Sequence, residues 1–222
     1  MQLLYELEKK FIENKNSQLA AKQSAYMRNR FPFFGISKPV QTQYEKPLFK
    51  KHPIDSTEDL KNILLALFKK EQREFHYTAC HLAYYKSNLW TPDTLLVFEY
   101  MIRNHSWWDT VDEIAARLVG TLIVRFPSEI VKMDEWIKDD HLWIRRTALI
   151  FQLKQKEATD TDRLAIYCQK VMEEKDFFIR KAIGWCLREY SKTNPSFVQN
   201  FINTHKDRLS PLSVREGSKY LK

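Results

Sequence analysis

The chain has 222 residues, 44% of them hydrophobic, and its 36 Lys and Arg against 28 Asp and Glu give a net charge of +8. It carries four glycines, where average usage of roughly 7% gives about 16. Glycine-rich dinucleotide and phosphate-loop folds are therefore excluded, an all-β sandwich lacks its turn residues, and disordered classes fail against the apolar content. The positive charge points to a polyanionic partner and is silent on fold.

Taken in order, the chain reads helical almost throughout. Leu3–Ala25 is expected to form one long amphipathic segment, with no apolar core behind a basic stretch to suggest a secretion signal. A basic, aromatic turn follows, from Tyr26 to Pro39; Phe31, Phe33, Phe34 and Ile36 are expected to seal the first repeat, leaving Tyr26, Arg28, Arg30 and Lys38 for backbone phosphates. Leu60, Ile63, Leu64, Leu67 and Phe68 make a helical stripe over Asp59–Lys70, with Ser56 or Thr57 as its cap. His76 and His81 are five residues apart, poor spacing for one helical face, and no HExxH occurs, so no metal is expected. Cys80 reads as a buried thiol. Pro92, at a natural first-turn position, precedes Leu95, Leu96 and Phe98. Asp160–Thr161 opens a helix running through Cys168 and Val171, and Asn194–Pro195 breaks the chain again. No apolar run approaches the roughly 18 residues of a membrane span. Cys80, Cys168 and Cys186 form no close pair in sequence, which argues against a disulfide scaffold. A reducing cytoplasm is the expected compartment.

A faint repeat organises these elements. His141-Leu-Trp-Ile-Arg-Arg-Thr-Ala-Leu-Ile150 matches Asp176-Phe-Phe-Ile-Arg-Lys-Ala-Ile-Gly-Trp185 at an offset of 35, and one step back Trp108 aligns with Trp143. A weaker echo starts at Arg73. This period predicts an all-α, HEAT-like helical repeat solenoid, one domain over residues 1–222 with about six helix pairs, because neighbouring pairs bury faces that none can bury alone. Its concave face would carry Arg145, Arg146, Arg180, Lys181 and Arg188 as a positive trough. Arg145 and Arg146 point about 100° apart on a helix, so both cannot sit squarely on that face.

Two segments can carry chemistry. In Ser106-Trp-Trp-Asp-Thr-Val-Asp112, Trp108 and Asp112 are i and i+4 and share a helical face. An aromatic platform beside a carboxylate suits a cation or a sugar. Ser106 is a candidate cap and Asp109 a first-turn acid. In Ile183-Gly-Trp-Cys-Leu-Arg188, Gly184 inside a helix signals either close helix packing or room beside a ligand. Trp185 is open to either a core or a site role.

These anchors, with Tyr26-Met-x-Asn-x-Phe-Pro-Phe-x-Gly-Ile and Arg73-Glu-Phe-x-Tyr, resemble the DNA alkylation repair enzymes of the AlkD type, which are HEAT-like glycosylases, over nearly the whole chain. The resemblance implies excision of cationic N3- and N7-alkylated purines from duplex DNA, without base flipping and without a metal or organic cofactor. It makes Asp112 the key carboxylate, Trp108 and Trp185 the tryptophans at the sugar backbone, and Arg146 and Tyr26 DNA contacts. Arg28, Lys38, Arg145, Arg180 and Lys181 would add phosphate contacts. A monomer is expected, since one chain can wrap a duplex. One departure stands out: relatives carry arginines where Gln41–Gln43 sit here, and lost charge there would weaken DNA contact. A non-catalytic DNA-binding protein and a protein-binding scaffold are the competing classes.

Overall fold

The computed structural model describes residues 2–221, and among them every regular element is helical. The fold is therefore the all-α, helical-repeat class that the sequence predicts. The chain divides into two compact units, Met1–His105 and Ser106–Lys222.

The first unit holds α1 (Gln2–Glu13), α2 (Ser17–Tyr26), α3 (Lys38–Lys51), α4 (Thr57–Phe68), α5 (Arg73–Tyr85) and α6 (Thr94–Arg103). Leu3, Leu7 and Phe11 of α1 are buried, one face of a helical period. The single segment expected at Leu3–Ala25 is two helices. Asn16 interrupts it by capping α2, its side chain accepting from Leu19 N at 2.9 Å. Its own N–H donates to Phe34 O at 2.9 Å. Gly35 enters there at φ +87, and a Cβ on it would stand 2.0 Å from Asn16 O, so the loop can press this close only as glycine.

Glu74 fastens that loop. Its carboxylate accepts from the N–H groups of Phe34, Gly35 and Ile36 at 3.0–3.2 Å. Beside it, fully buried Arg73 lays its guanidinium 3.8 Å from the Phe31 ring centroid and donates to His105 O at 2.7 Å. Phe31 and Ile36 are buried, and Phe34 packs with Phe11 and Phe75, as the sealing role predicts. Ser56, not Thr57, caps α4. The helix after Pro92 starts two residues late, at Thr94, because the Thr94 hydroxyl accepts from Thr91 N and closes a turn first.

The second unit holds α7 (Trp108–Glu113), α8 (Gly120–Arg125), α9 (Ile130–Trp136), α10 (Leu142–Ile150), α11 (Thr161–Val171), α12 (Phe177–Tyr190), α13 (Pro195–Thr204) and α14 (Pro211–Gly217). Ile114–Val119 joins α7 to α8 with π-type hydrogen bonding, a widened turn that recurs at functional sites. Trp107, extended at φ −160, precedes α7 in the place expected for Ser106. Asp160 caps α11 as predicted, and Asp176 caps α12 through Phe178 N and Ile179 N.

The period of 35 is real in bonding terms. Arg145 donates to Asp139 O and Arg180 to Glu174 O, each to the carbonyl six residues back. A second device recurs at larger spacing: Arg73 reaches His105 O and Arg146 reaches Phe178 O, each 32 residues on.

Gly184 answers to packing. A Cβ there would lie 2.5 Å from Glu216 Cβ and 3.1 Å from Ser213 O on α14. Gly184→Ala gains up to about 1 kcal/mol of helix propensity, but overpacking costs about 1–3 kcal/mol. The expected net result is a lower urea midpoint; a midpoint equal to or above wild type means α14 yields at no cost.

Candidate active site

The site lies within the second unit and is built at the starts of α7, α10 and α12. Below it, Trp107, Trp143 and Phe178 pack in a triangle with ring centroids 4.8–5.6 Å apart. The sequence alignment pairs Trp108 with Trp143, but the ring that stacks on Trp143 is Trp107, which is buried. Trp90, Trp107, Trp136 and Trp143 are all core residues. Trp108 and Trp185 alone among the six tryptophans are only half-buried. This is the division the sequence predicts.

Above the triangle, Arg146 grips Asp112. Its Nε and Nη2 each donate to one carboxylate oxygen at 2.8 Å, and Nη1 donates to Phe178 O at 2.6 Å. The guanidinium side chain is 4% exposed and the carboxylate 17%. Solvent therefore meets Asp112 first, with Arg146 behind it. A fork of this kind fixes both position and plane of the carboxylate. Trp185 completes the group, its ring centroid 6.0 Å from the Arg146 guanidinium carbon, and the Phe178 ring stands at 5.9 Å. Trp108 lies one turn before Asp112 on α7. Burial pushes the Asp112 carboxyl above its ordinary value; the Arg146 pair opposes this, and nearby Asp109 adds to it.

The other predicted contacts fall into two groups. Arg145 forms a two-point pair with Glu174 at 2.9 Å, Arg180 bonds Glu174 O at 2.8 Å, Lys181 bonds Glu216 at 2.7 Å, and Arg188 also pairs with Glu216. Each cation of the expected trough thus has an internal partner, and Glu174 and Glu216 are the acids that sequence reasoning missed. Phe178 was missed too; its only sequence signal was the doubled phenylalanine aligned with Leu142-Trp143. Tyr26, Arg28 and Lys38 belong to the first unit and are exposed. Arg28 and Asn29 both hold positive φ, 57° and 55°, at the end of α2.

Gln41 is corrected by the fold. Its side chain is 1% exposed and its amide donates to Glu45, Glu74 O and Thr78 at 2.7–3.0 Å. It is an interior link between α3 and α5, because the helix opening turns this position inward; the lost surface charge inferred for Gln41–Gln43 therefore does not apply at Gln41, while Gln43 is exposed. No group of three or more His, Cys, Asp or Glu among the described residues is arranged to hold a metal. No helix among them is long and apolar enough to cross a membrane.

The sequence model of the family described as DNA alkylation repair enzyme matches residues 7–221. The chain belongs to the DNA alkylation repair enzyme family. A solved structure from Enterococcus faecalis, described as a predicted DNA alkylation repair enzyme, is 36% identical with a TM-score of 0.86, covering 93% of this chain and 96% of that one. The smu.31 structure from Streptococcus mutans UA159 is 16% identical with a TM-score of 0.64, covering 83% of this chain and 96% of that one, a likeness of fold alone. No curated protein matches the chain. Family membership supports a role in the repair of alkylation damage to DNA.

Proposed function

We propose that the protein is a DNA glycosylase that hydrolyses the N-glycosidic bond of cationic N3- and N7-alkylated purines in duplex DNA and leaves an abasic site. The observation that carries this reading is the Asp112 carboxylate, mostly buried but more open to solvent than the Arg146 that grips both its oxygens, with the Trp185 ring 6.0 Å from that guanidinium. Alkylation at N3 or N7 puts a positive charge on the purine and makes it a good leaving group, so no strong general acid is needed. As the bond breaks, oxocarbenium-like charge grows on the deoxyribose. Asp112 stabilises that charge and orients the attacking water, a preorganised electrostatic effect realised in the transition state. Trp108 and Trp185 hold the sugar by CH–π and cation–π contacts. No base need be flipped for these groups to act on the sugar, and neither metal nor organic cofactor enters the chemistry.

Arg146 acts in this scheme as a positioning residue for Asp112. Phosphate contacts fall to Tyr26, Arg28 and Lys38, and to Arg145, Arg180 and Lys181 where DNA competes with Glu174 and Glu216 for them. The partner is duplex DNA and the working form a monomer near the nucleoid. The binding-only reading keeps the exposed Gln43 of the Gln41–Gln43 segment as its support, with Gln41 itself in the interior. The test is release of N7-methylguanine or N3-methyladenine from methylated duplex; binding with no release above background leaves the binding-only reading in place.

The acid limb of the rate profile gives a second check. Catalysis requires ionised Asp112, and burial raises its pKa. The single-turnover rate, corrected for spontaneous depurination, is expected to fall on acidification at a pH above the ordinary aspartate range near 3.8 and to recover as pH rises. A profile flat down to that range would remove Asp112 from the charge-stabilising role.

A further inference from the structure

Cys168 on α11 and Cys186 on α12 are 18 residues apart in sequence, yet their sulfurs lie 3.7 Å apart and both are free thiols. Cys186 also lines a cavity of about 590 Å³ that opens beside the ends of α10 and α12, walled by Leu149, Leu164 and Tyr190 and rimmed by Lys154, Lys156 and Lys192. Cys168 is fully buried and is not part of that lining. The two thiols are thus ranked by access, one at a pocket floor and one directly behind it.

Their hydrogen bonds form a short relay. Cys186 donates its S–H to Ile183 O at 3.2 Å, which leaves Cys168 as the donor to Cys186 Sγ. That bond, together with burial, holds the Cys168 thiol well above its ordinary value. Access therefore makes Cys186 the first of the two thiols that a small oxidant in the cavity meets.

We propose that Cys186 and Cys168 form a peroxide-responsive dithiol, with Cys186 the attacking and Cys168 the resolving residue. The Cys186 thiolate attacks a hydroperoxide, an S–O bond forms, the O–O bond breaks, and the departing hydroxide or alkoxide takes up a proton to leave as water or an alcohol. Cys168 then attacks the sulfenic sulfur as its S–H proton passes to the departing hydroxide; the S–S bond forms, the S–O bond breaks, and water leaves. The two thiols lose two electrons and the peroxide gains them. Closure from 3.7 Å to about 2.05 Å ties α11 to α12 one residue beyond Trp185. Displacement there is expected to slow base release about tenfold or more, and thiol reductant restores it.

The experiment treats fully reduced protein with hydrogen peroxide and follows intact mass and peptide maps. The expected product has lost two hydrogens, contains a Cys168–Cys186 linked peptide, retains titratable Cys80, and returns to the reduced mass with dithiothreitol; Cys186 is consumed about tenfold faster than Cys80. In Cys168→Ser, the sulfenate on Cys186 is captured by dimedone; in Cys186→Ser, neither product forms. The proposal is overturned if Cys168 and Cys186 of the wild-type chain oxidise no faster than Cys80, or if the first oxygen is found on Cys168. The wild-type mass measurement stands whether or not the variants fold, and whether or not the protein releases alkylpurines.

Discussion

Asp112→Asn is expected to lower the single-turnover rate of alkylpurine release by about 10²–10³-fold, the usual consequence of removing one preorganised electrostatic group. The amide keeps the size of the carboxylate and one acceptor for the Arg146 fork, but it carries no charge to offer the oxocarbenium-like sugar. Arg146 is left nearly buried without its counter-charge, so stability also falls, by about 1–3 kcal/mol. Circular dichroism and a melt separate the two effects: a folded Asp112→Asn protein with a wild-type rate sinks the assignment of Asp112, whatever its melting temperature. Binding to methylated duplex should be retained, since the substitution removes a negative charge from the face proposed to meet DNA.

Arg146→Ala is the more damaging change. It strips the carboxylate of both fork bonds and Phe178 O of its donor, leaving an uncompensated and largely buried acid. The cost is about 3–5 kcal/mol, which for a chain of this size lowers the melting temperature by roughly 6–20 °C. Arg146→Lys keeps the charge and loses the planar two-point grip, so it should be milder in stability and still slow in chemistry. Kinetics distinguish positioning from phosphate contact. If Arg146 acts through Asp112, the lysine variant loses rate at saturating DNA while its affinity and salt dependence stay near wild type. If it grips a phosphate instead, Arg146→Ala weakens binding and the salt slope shrinks by about one.

The pairing of these two residues explains why the positive trough expected from the repeat has a different character in the fold. Arg145 and Arg146 were placed about 100° apart by helix geometry, and the structure sends one to Glu174 and the other to Asp112. The repeated basic residues are largely internal staples. Arg145 and Arg180 tie down the turn that precedes their own helix, and Arg73 and Arg146 reach the next repeat. A motif that repeats because every unit must be fastened to its neighbour looks, in sequence, like one that repeats because DNA runs along it. The Arg73-Glu74 pair is the plainest case, since the two side chains are engaged in the loop from Phe31 to Ile36 and in His105.

What the sequence by itself determined is local. Helical periodicity, the helix opening at Asp160, the break at Asn194–Pro195 and the scarcity of glycine depend on residues within a turn of one another, so the all-α class and several helix starts are legible. The i, i+4 relation of Trp108 and Asp112 was legible for the same reason. The break at Asn16 was not, because it answers to Gly35 and Phe34 across a loop. Only the tertiary structure decided which partner each charge takes: Asp112 with Arg146 over 34 residues, Gln41 with Glu74 over 33, Cys168 beside Cys186 over 18. Such pairs are set by how successive helices stack, and a side chain's burial and its partner come from that packing and not from its neighbours along the chain.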